Sequence, residues 1–107
     1  MERLVLIASL KPGAEAAAAE LIAEGPPFDL ERSGFDRHGI YMSSGQVVFV
    51  FEAHEVEWAV DALIDDPFNG MLSDALERWR LVVEEPPRIA RERFSWTRPP
   101  NSGDPQT

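Results

Sequence analysis

The sequence predicts an α+β domain, with elements in the order β-α-β-β-α-(α)-β and its four strands in one antiparallel sheet. Three observations carry this expectation. Runs rich in β-branched residues alternate with stretches whose apolar residues recur at helical spacing. A small-residue pair, Ser44-Gly45, sits between two strand-like runs, as in a hairpin. Proline and glycine fall between the periodic segments and punctuate them.

The first strand is read at Arg3 to Leu10, RLVLIASL, whose near-continuous apolar character marks a central strand covered on both faces. Lys11-Pro12-Gly13 ends it. A helix follows through AEAAAAELIAE, its apolar face formed by Ala14, Ala17, Ala18, Leu21 and Ile22. Its alanines have high helix propensity and no bulk, so the helix axis can lie close to the sheet. Gly25 is suited to a left-handed cap, and Pro26-Pro27 prevent continuation.

Residues 35–43 and 46–53 read as antiparallel strands about Ser44-Gly45. A two-residue turn, the favoured case, sets Tyr41 opposite Val48, His38 opposite Phe51 and Arg37 opposite Glu52, whereas a three-residue loop would shift this register. One face then carries His38, Ile40, Met42, Val47, Phe49 and Phe51, and the other Arg37, Gly39, Tyr41, Val48, Val50 and Glu52. From His54 the pattern is helical again, with Val56, Ala59, Val60, Leu63 and Ile64 in the stripe and Pro67 as the stop. A further helix near 71–83 presents Met71, Leu72, Ala75, Leu76, Trp79 and Val82. After Pro86-Pro87, residues from Ile89 to Thr97 read as the last strand, with Glu92, Phe94 and Trp96 alternating against Arg91, Arg93 and Ser95. A single domain is therefore expected over 1–97, followed by a disordered tail over the proline-rich stretch 98–107.

Composition excludes several functions. The net charge of −9 repels a phosphate backbone, so nucleic acid is set aside as a partner. No apolar run is long enough to cross a bilayer and no export signal is evident, so a cytoplasmic location is the default expectation. With no cysteine there is no disulfide, thiolate nucleophile or thiolate metal site. His38 and His54 have no recognised ligand spacing, and the glycines match no phosphate loop, so neither a metal nor a nucleotide cofactor is expected. Charge is also uneven: residues 14–66 hold twelve acidic and two basic side chains, whereas 86–107 hold two acidic and four basic. Such faces keep a protein soluble, and a basic end can also meet an acidic surface of a second copy.

This element order is the split β-α-β, or ferredoxin-like, arrangement, in which helices cover one sheet face and leave the other bare. The first and third strands are apolar on both sides, and an uncovered apolar face forgoes burial. A second copy is the expected cover. The order, the LKPG strand end at Leu10–Gly13, the hairpin, the late proline pair and the aromatic last strand resemble the dimeric α+β barrel superfamily over about residues 3–97. That superfamily includes antibiotic-biosynthesis monooxygenase-like proteins, small cyclases, muconolactone isomerases, sugar mutarotases and haem-degrading enzymes. The resemblance implies a homodimer of ferredoxin-like subunits packed sheet on sheet, with a cavity in each subunit, and it bears on activity by analogy.

The candidate site residues come from the hairpin and the last strand. His38 is the candidate acid-base group, because imidazole titrates near neutral pH. Tyr41 is a candidate hydrogen-bond donor to a substrate carbonyl, although strand tyrosines commonly only pack their rings. Arg37 and Glu52 are suited to fixing a ligand carboxylate or, more simply, to pairing across the strands. Phe49, Phe51 and Trp96 suit an aromatic ligand, a core or an interface. His38 and Arg37 lie on opposite faces, so at most one of the two sets lines a given cavity. The functions in view are a homodimeric binder of a small apolar or aromatic molecule, a cofactor-independent monooxygenase, cyclase or isomerase, and a non-catalytic interaction subunit.

Overall fold

The computed structural model describes residues 1–65 and 70–100. Strand β1 (Glu2–Ser9) leads into helix α1 (Glu15–Ala23), then strands β2 (Arg37–Ser43) and β3 (Gln46–Ala53), helices α2 (Val56–Ile64) and α3 (Gly70–Arg80), and strand β4 (Arg88–Ala90). The sheet order is β2-β3-β1-β4 with every neighbouring pair antiparallel. This is the expected ferredoxin-like arrangement, with the two apolar strands β1 and β3 at its centre.

The hairpin register is the one set by a two-residue turn: Arg37 faces Glu52, His38 faces Phe51 and Tyr41 faces Val48. Gly45 takes φ of 84°, a left-handed conformation that a Cβ disfavours, which is why glycine suits this turn. Gly25 takes φ of 89° after α1, and its N–H bonds to the carbonyl of Ile22 at 3.0 Å, capping the helix as the sequence predicts. At the start of α2 the N–H of Val56 donates to Glu2 Oε1 at 3.1 Å, so a strand carboxylate satisfies a helix-terminal donor.

The helices cover the face that carries His38, Ile40, Phe49 and Phe51. One buried cluster joins Ala8, Leu10, Ala18, Val47, Val82 and Val83, with Leu21, Ile40, Phe49 and Trp79 packed against it. A second joins Ala53, Val56 and Ala59, flanked by Leu4, Phe35 and Phe51. Ala18 is completely buried beneath the sheet residues Ala8 and Val47, whereas Ala17, placed on the same stripe by spacing, is exposed. Small side chains at this crossing let the helix backbone come close to the sheet.

Two elements are shorter than the sequence pattern suggests. Helix α3 stops at Arg80, and Val82 and Val83 turn back against β1: Lys11 N–H donates to the Val82 carbonyl at 2.8 Å and Glu84 N–H to the Ser9 carbonyl at 2.9 Å. The last strand spans only Arg88–Ala90, not Ile89 to Thr97. Its register sets Val5 opposite Ala90 and Ile7 opposite Arg88, so continuation would bring Glu2 opposite Arg93. Residues from Phe94 onward lie past the first residue of β1 and have no strand beside them. The stop expected at Pro67 and most of the tail expected over 98–107 lie outside the described residues. Among the described residues no helix is long and apolar enough to cross a membrane.

Candidate functional site

Two sites arise from the two faces of the sheet. On the helix-covered face, a cavity of about 520 Å³ opens between the sheet and α3, within the size range of small-molecule pockets. Leu6, Phe49 and Phe51 contribute from the sheet, Leu76 and Trp79 from α3, and Val83, Pro86 and Pro87 from the chain returning to β4. Phe49 and Trp79 meet edge to face, with ring centroids 5.2 Å apart and planes at 82°. Lys11, Arg80, Glu84 and Glu85 supply the polar part of the lining. Two larger depressions of about 700 and 610 Å³, beside the loop around Phe28 and between α1 and α3, are more open and less apolar.

His38 lies on this covered face but does not line the cavity. Its ring stacks on Phe51, centroids 4.5 Å apart, and lies 5.7 Å from Phe28. Nδ1 stands 3.0 Å from the Val50 carbonyl, which can only accept, so Nδ1 carries the proton and donates. Burial lowers the pKa of this imidazole, and the carbonyl contact opposes that in part by favouring the protonated ring. The arrangement makes His38 a neutral, packed ring that joins the Phe28 loop to the hairpin.

The helix-free face carries the other set. Arg37 Nη2 donates to the Tyr41 hydroxyl at 2.7 Å, above Gly39, whose missing Cβ would sit 3.5 Å from the Tyr41 ring. Arg3 Nε donates to Glu52 Oε2 at 3.0 Å, and Arg37 Nη1 stands 3.6 Å from the same oxygen. The Tyr41 hydroxyl first, and Glu52 with it, raise the Arg37 pKa further above its ordinary range. Two guanidinium groups thus share one carboxylate, leaving a net positive spot at the Glu52 end of this face, next to the Val5–Val50 pair in the strand register. Arg37, Tyr41 and Glu52 are brought together as a set, but they line none of the three cavities.

Of the site residues singled out by sequence, Phe49 and Phe51 therefore reach the cavity beside α3. Trp96 stands apart in the segment after β4, 64% exposed, with the Arg98 guanidinium 5.1 Å from its ring centroid. Sequence reasoning did not single out Leu6, Lys11, Leu76, Arg80, Glu84 or Glu85, because they converge only when α3 folds back over the sheet. Nor did it find Arg3, which reaches Glu52 through the β1–β3 pairing, from Glu2↔Ala53 to Ser9↔Gln46. Among the described residues no three of His, Cys, Asp and Glu stand close enough together to hold a metal ion.

Comparison with solved structures supports the fold. The chain is similar to tetracenomycin F2 cyclase from Streptomyces glaucescens, a type-II polyketide cyclase, with a TM-score of 0.65 and 19% identity over 92% of this chain and 100% of that one. It is also similar to NE2512, a protein of unknown function from Nitrosomonas europaea, with a TM-score of 0.62 and 22% identity over 91% of this chain and 92% of that one. No family model matches the sequence, and no curated protein does.

Proposed function

We propose that this protein binds a small apolar or aromatic molecule in the cavity between its sheet and α3, and that it works as a homodimer. The cavity lined by Phe49, Phe51, Leu76 and Trp79 carries the reading: its aromatic and aliphatic walls reward burial of a flat apolar ligand. Lys11, Arg80, Glu84 and Glu85 offer donors and acceptors that would fix the orientation of a hydroxyl or carbonyl on that ligand. The homodimer covers the helix-free face, where Val5, Ile7, Val48 and Tyr41 otherwise meet water.

A catalytic version, a cofactor-independent cyclase or isomerase, draws support from the fold shared with a polyketide cyclase. In that version Glu84, Glu85 or Lys11 moves the proton and the Arg80 guanidinium, which keeps its charge, holds a developing negative charge, since His38 and Tyr41 lie outside the cavity.

Titration with a hydroxyanthraquinone, followed by quenching of tryptophan emission, tests the binding site directly because Trp79 forms part of the wall. Saturable quenching with one molecule per chain is expected. Leu76→Glu, at a half-exposed position of the cavity lining, should weaken binding by about 10-fold or more with an unchanged circular dichroism spectrum. Absence of saturable quenching up to the solubility limit, or equal binding by Leu76→Glu, refutes the assignment.

A further inference from the structure

We propose that the outer surface of the helical layer carries a docking groove for a basic amphipathic helix of a partner protein, running past α3 from Trp58 on α2 to Leu21 on α1. This is a different site from the cavity between the sheet and α3, with Trp79 in the lining of both.

The two open depressions are parts of one groove. The one beside the Phe28 loop, about 700 Å³, and the one between α1 and α3, about 610 Å³, share Pro27 and Met71 in their linings and therefore meet there. Phe28, Ala59 and Leu63 line the first part, and Leu21, Ala75 and Trp79 the second. Trp58 and Met71 also line it and are left 68% and 69% exposed, large apolar groups that folding of the chain does not bury. A trough formed between neighbouring helices suits the apolar face of a partner helix, read at positions i, i+3, i+4 and i+7. Methionine adapts its unbranched thioether to such a partner, and tryptophan offers a large rigid anchor.

Charge selects the occupant. Residues 14–34 and 54–80, which contain the three helices and the Phe28 loop, hold twelve acidic and three basic side chains. They carry the whole net charge of −9, and the remainder of the chain is neutral. All three arginines of this layer are already paired within it: Arg32 with Asp29, Arg78 with Glu24 and Arg80 with Glu77. Asp74 in the groove lining, and Glu31, Asp61 and Asp65 nearby, take part in no ion pair among the described residues. Asp61 and Asp65 follow the lining residues Trp58 and Ala62 by three positions, which sets them beside those residues on the α2 surface. An apolar floor with unpaired carboxylates at its rim complements a helix that has apolar residues on one face and lysine or arginine beside them. The same field repels nucleic acid and anionic lipid. Two copies meeting through this layer would set like charges against each other, so a second copy is the poorer occupant.

The probe is a fluorescein-labelled synthetic peptide of about 18 residues, made of leucine and lysine with the leucines on one helical face, titrated with the full chain at about 0.15 M salt and followed by anisotropy. Saturable binding of one peptide per chain is expected, with a dissociation constant of about 10 μM or tighter. Trp58→Ala/Met71→Ala leaves the charge unchanged and should weaken binding by about 10-fold or more, with an unchanged circular dichroism spectrum. Asp61→Lys/Asp74→Lys should weaken it by about 10-fold, whereas Glu15→Lys/Glu92→Lys, the same change in net charge away from the groove, should weaken it by no more than about 3-fold. Light scattering on the full chain should give wild type and Trp58→Ala/Met71→Ala the same mass. Absence of saturable binding at about 100 μM chain, or binding by Trp58→Ala/Met71→Ala as tight as wild type, overturns the groove. Equal effects of the two charge-reversed pairs would reduce the binding to general attraction by an acidic protein and overturn it as well. A fall in mass for Trp58→Ala/Met71→Ala would make a second copy the occupant, and the partner helix would be overturned. Neither Trp58 nor Met71 lines the cavity, so hydroxyanthraquinone binding persists in that variant whatever becomes of the groove.

Discussion

Replacing Phe49 by leucine tests the packing that holds α3 over the sheet and shapes the cavity wall. Leucine keeps the apolar character and fits the strand, so the perturbation isolates the ring. The edge-to-face contact with Trp79, centroids 5.2 Å apart, contributes about 1 kcal/mol beyond the area it buries. The smaller side chain also enlarges the neighbouring space, which at about 24 cal/mol per Å³ adds roughly half a kcal/mol for the volume of a methylene group. Together these predict a loss of about 1.5 kcal/mol, or a fall in melting temperature of about 6–12 °C for a domain this size. Urea unfolding followed by circular dichroism measures the loss, with Trp58→Ala as a control. Trp58 is 68% exposed, so its replacement should change stability by no more than about 0.5 kcal/mol. Equal midpoints for Phe49→Leu and wild type would show that the ring does not bear on Trp79, and the cavity geometry would fall with it.

His38 gives a pH prediction. Burial depresses its folded pKa below the ordinary 6.5, so in the acid range the unfolded chain binds more protons than the folded one. Stability from this group is complete above about 6.5 and is lost as pH falls through the depressed folded value. His38→Gln should flatten the dependence of the urea midpoint on pH between about 7 and 5, and parallel curves for the two proteins would refute the burial. At the α1 crossing, Ala18→Leu forces bulk into a site with no exposed surface between Ala8 and Val47 and should destabilise by about 1–3 kcal/mol. Ala19→Leu, on the exposed side of the same helix, should stay within about 0.5 kcal/mol in the same thermal melts. Similar melting temperatures for the two variants would refute the close helix-to-sheet contact.

Much of this architecture was legible because its signals are local. Ser44-Gly45 marks the hairpin and favours a two-residue turn, and with that turn a period of two assigns each of residues 37–43 and 46–52 to a face. The glycine after α1 and the alanine-rich stripe announce the helix stop and the close approach to the sheet. The last strand is shorter than its alternation suggests: RERFSWT measures a tendency to extend, whereas a strand also needs a neighbour, and from Phe94 onward there is none because β1 begins at Glu2. Arg37 and Glu52 could be paired from register, but Arg3, which shares the same carboxylate, became visible only with β1 beside β3.

By itself, then, the sequence determined the order of elements and favoured the hairpin register that divides the sheet into a His38–Phe49–Phe51 face and an Arg37–Tyr41–Glu52 face, a register the structure chose over the one a three-residue loop would set. Alternation cannot say which of two faces the helices cover, because both keep their composition whichever way the crossovers run. Tertiary structure decided it. Packing α2 and α3 on the first face opened a cavity beside Phe49 and Phe51 and left Arg37, Tyr41 and Glu52 on the open side, while His38 became a half-buried ring between Phe28 and Phe51.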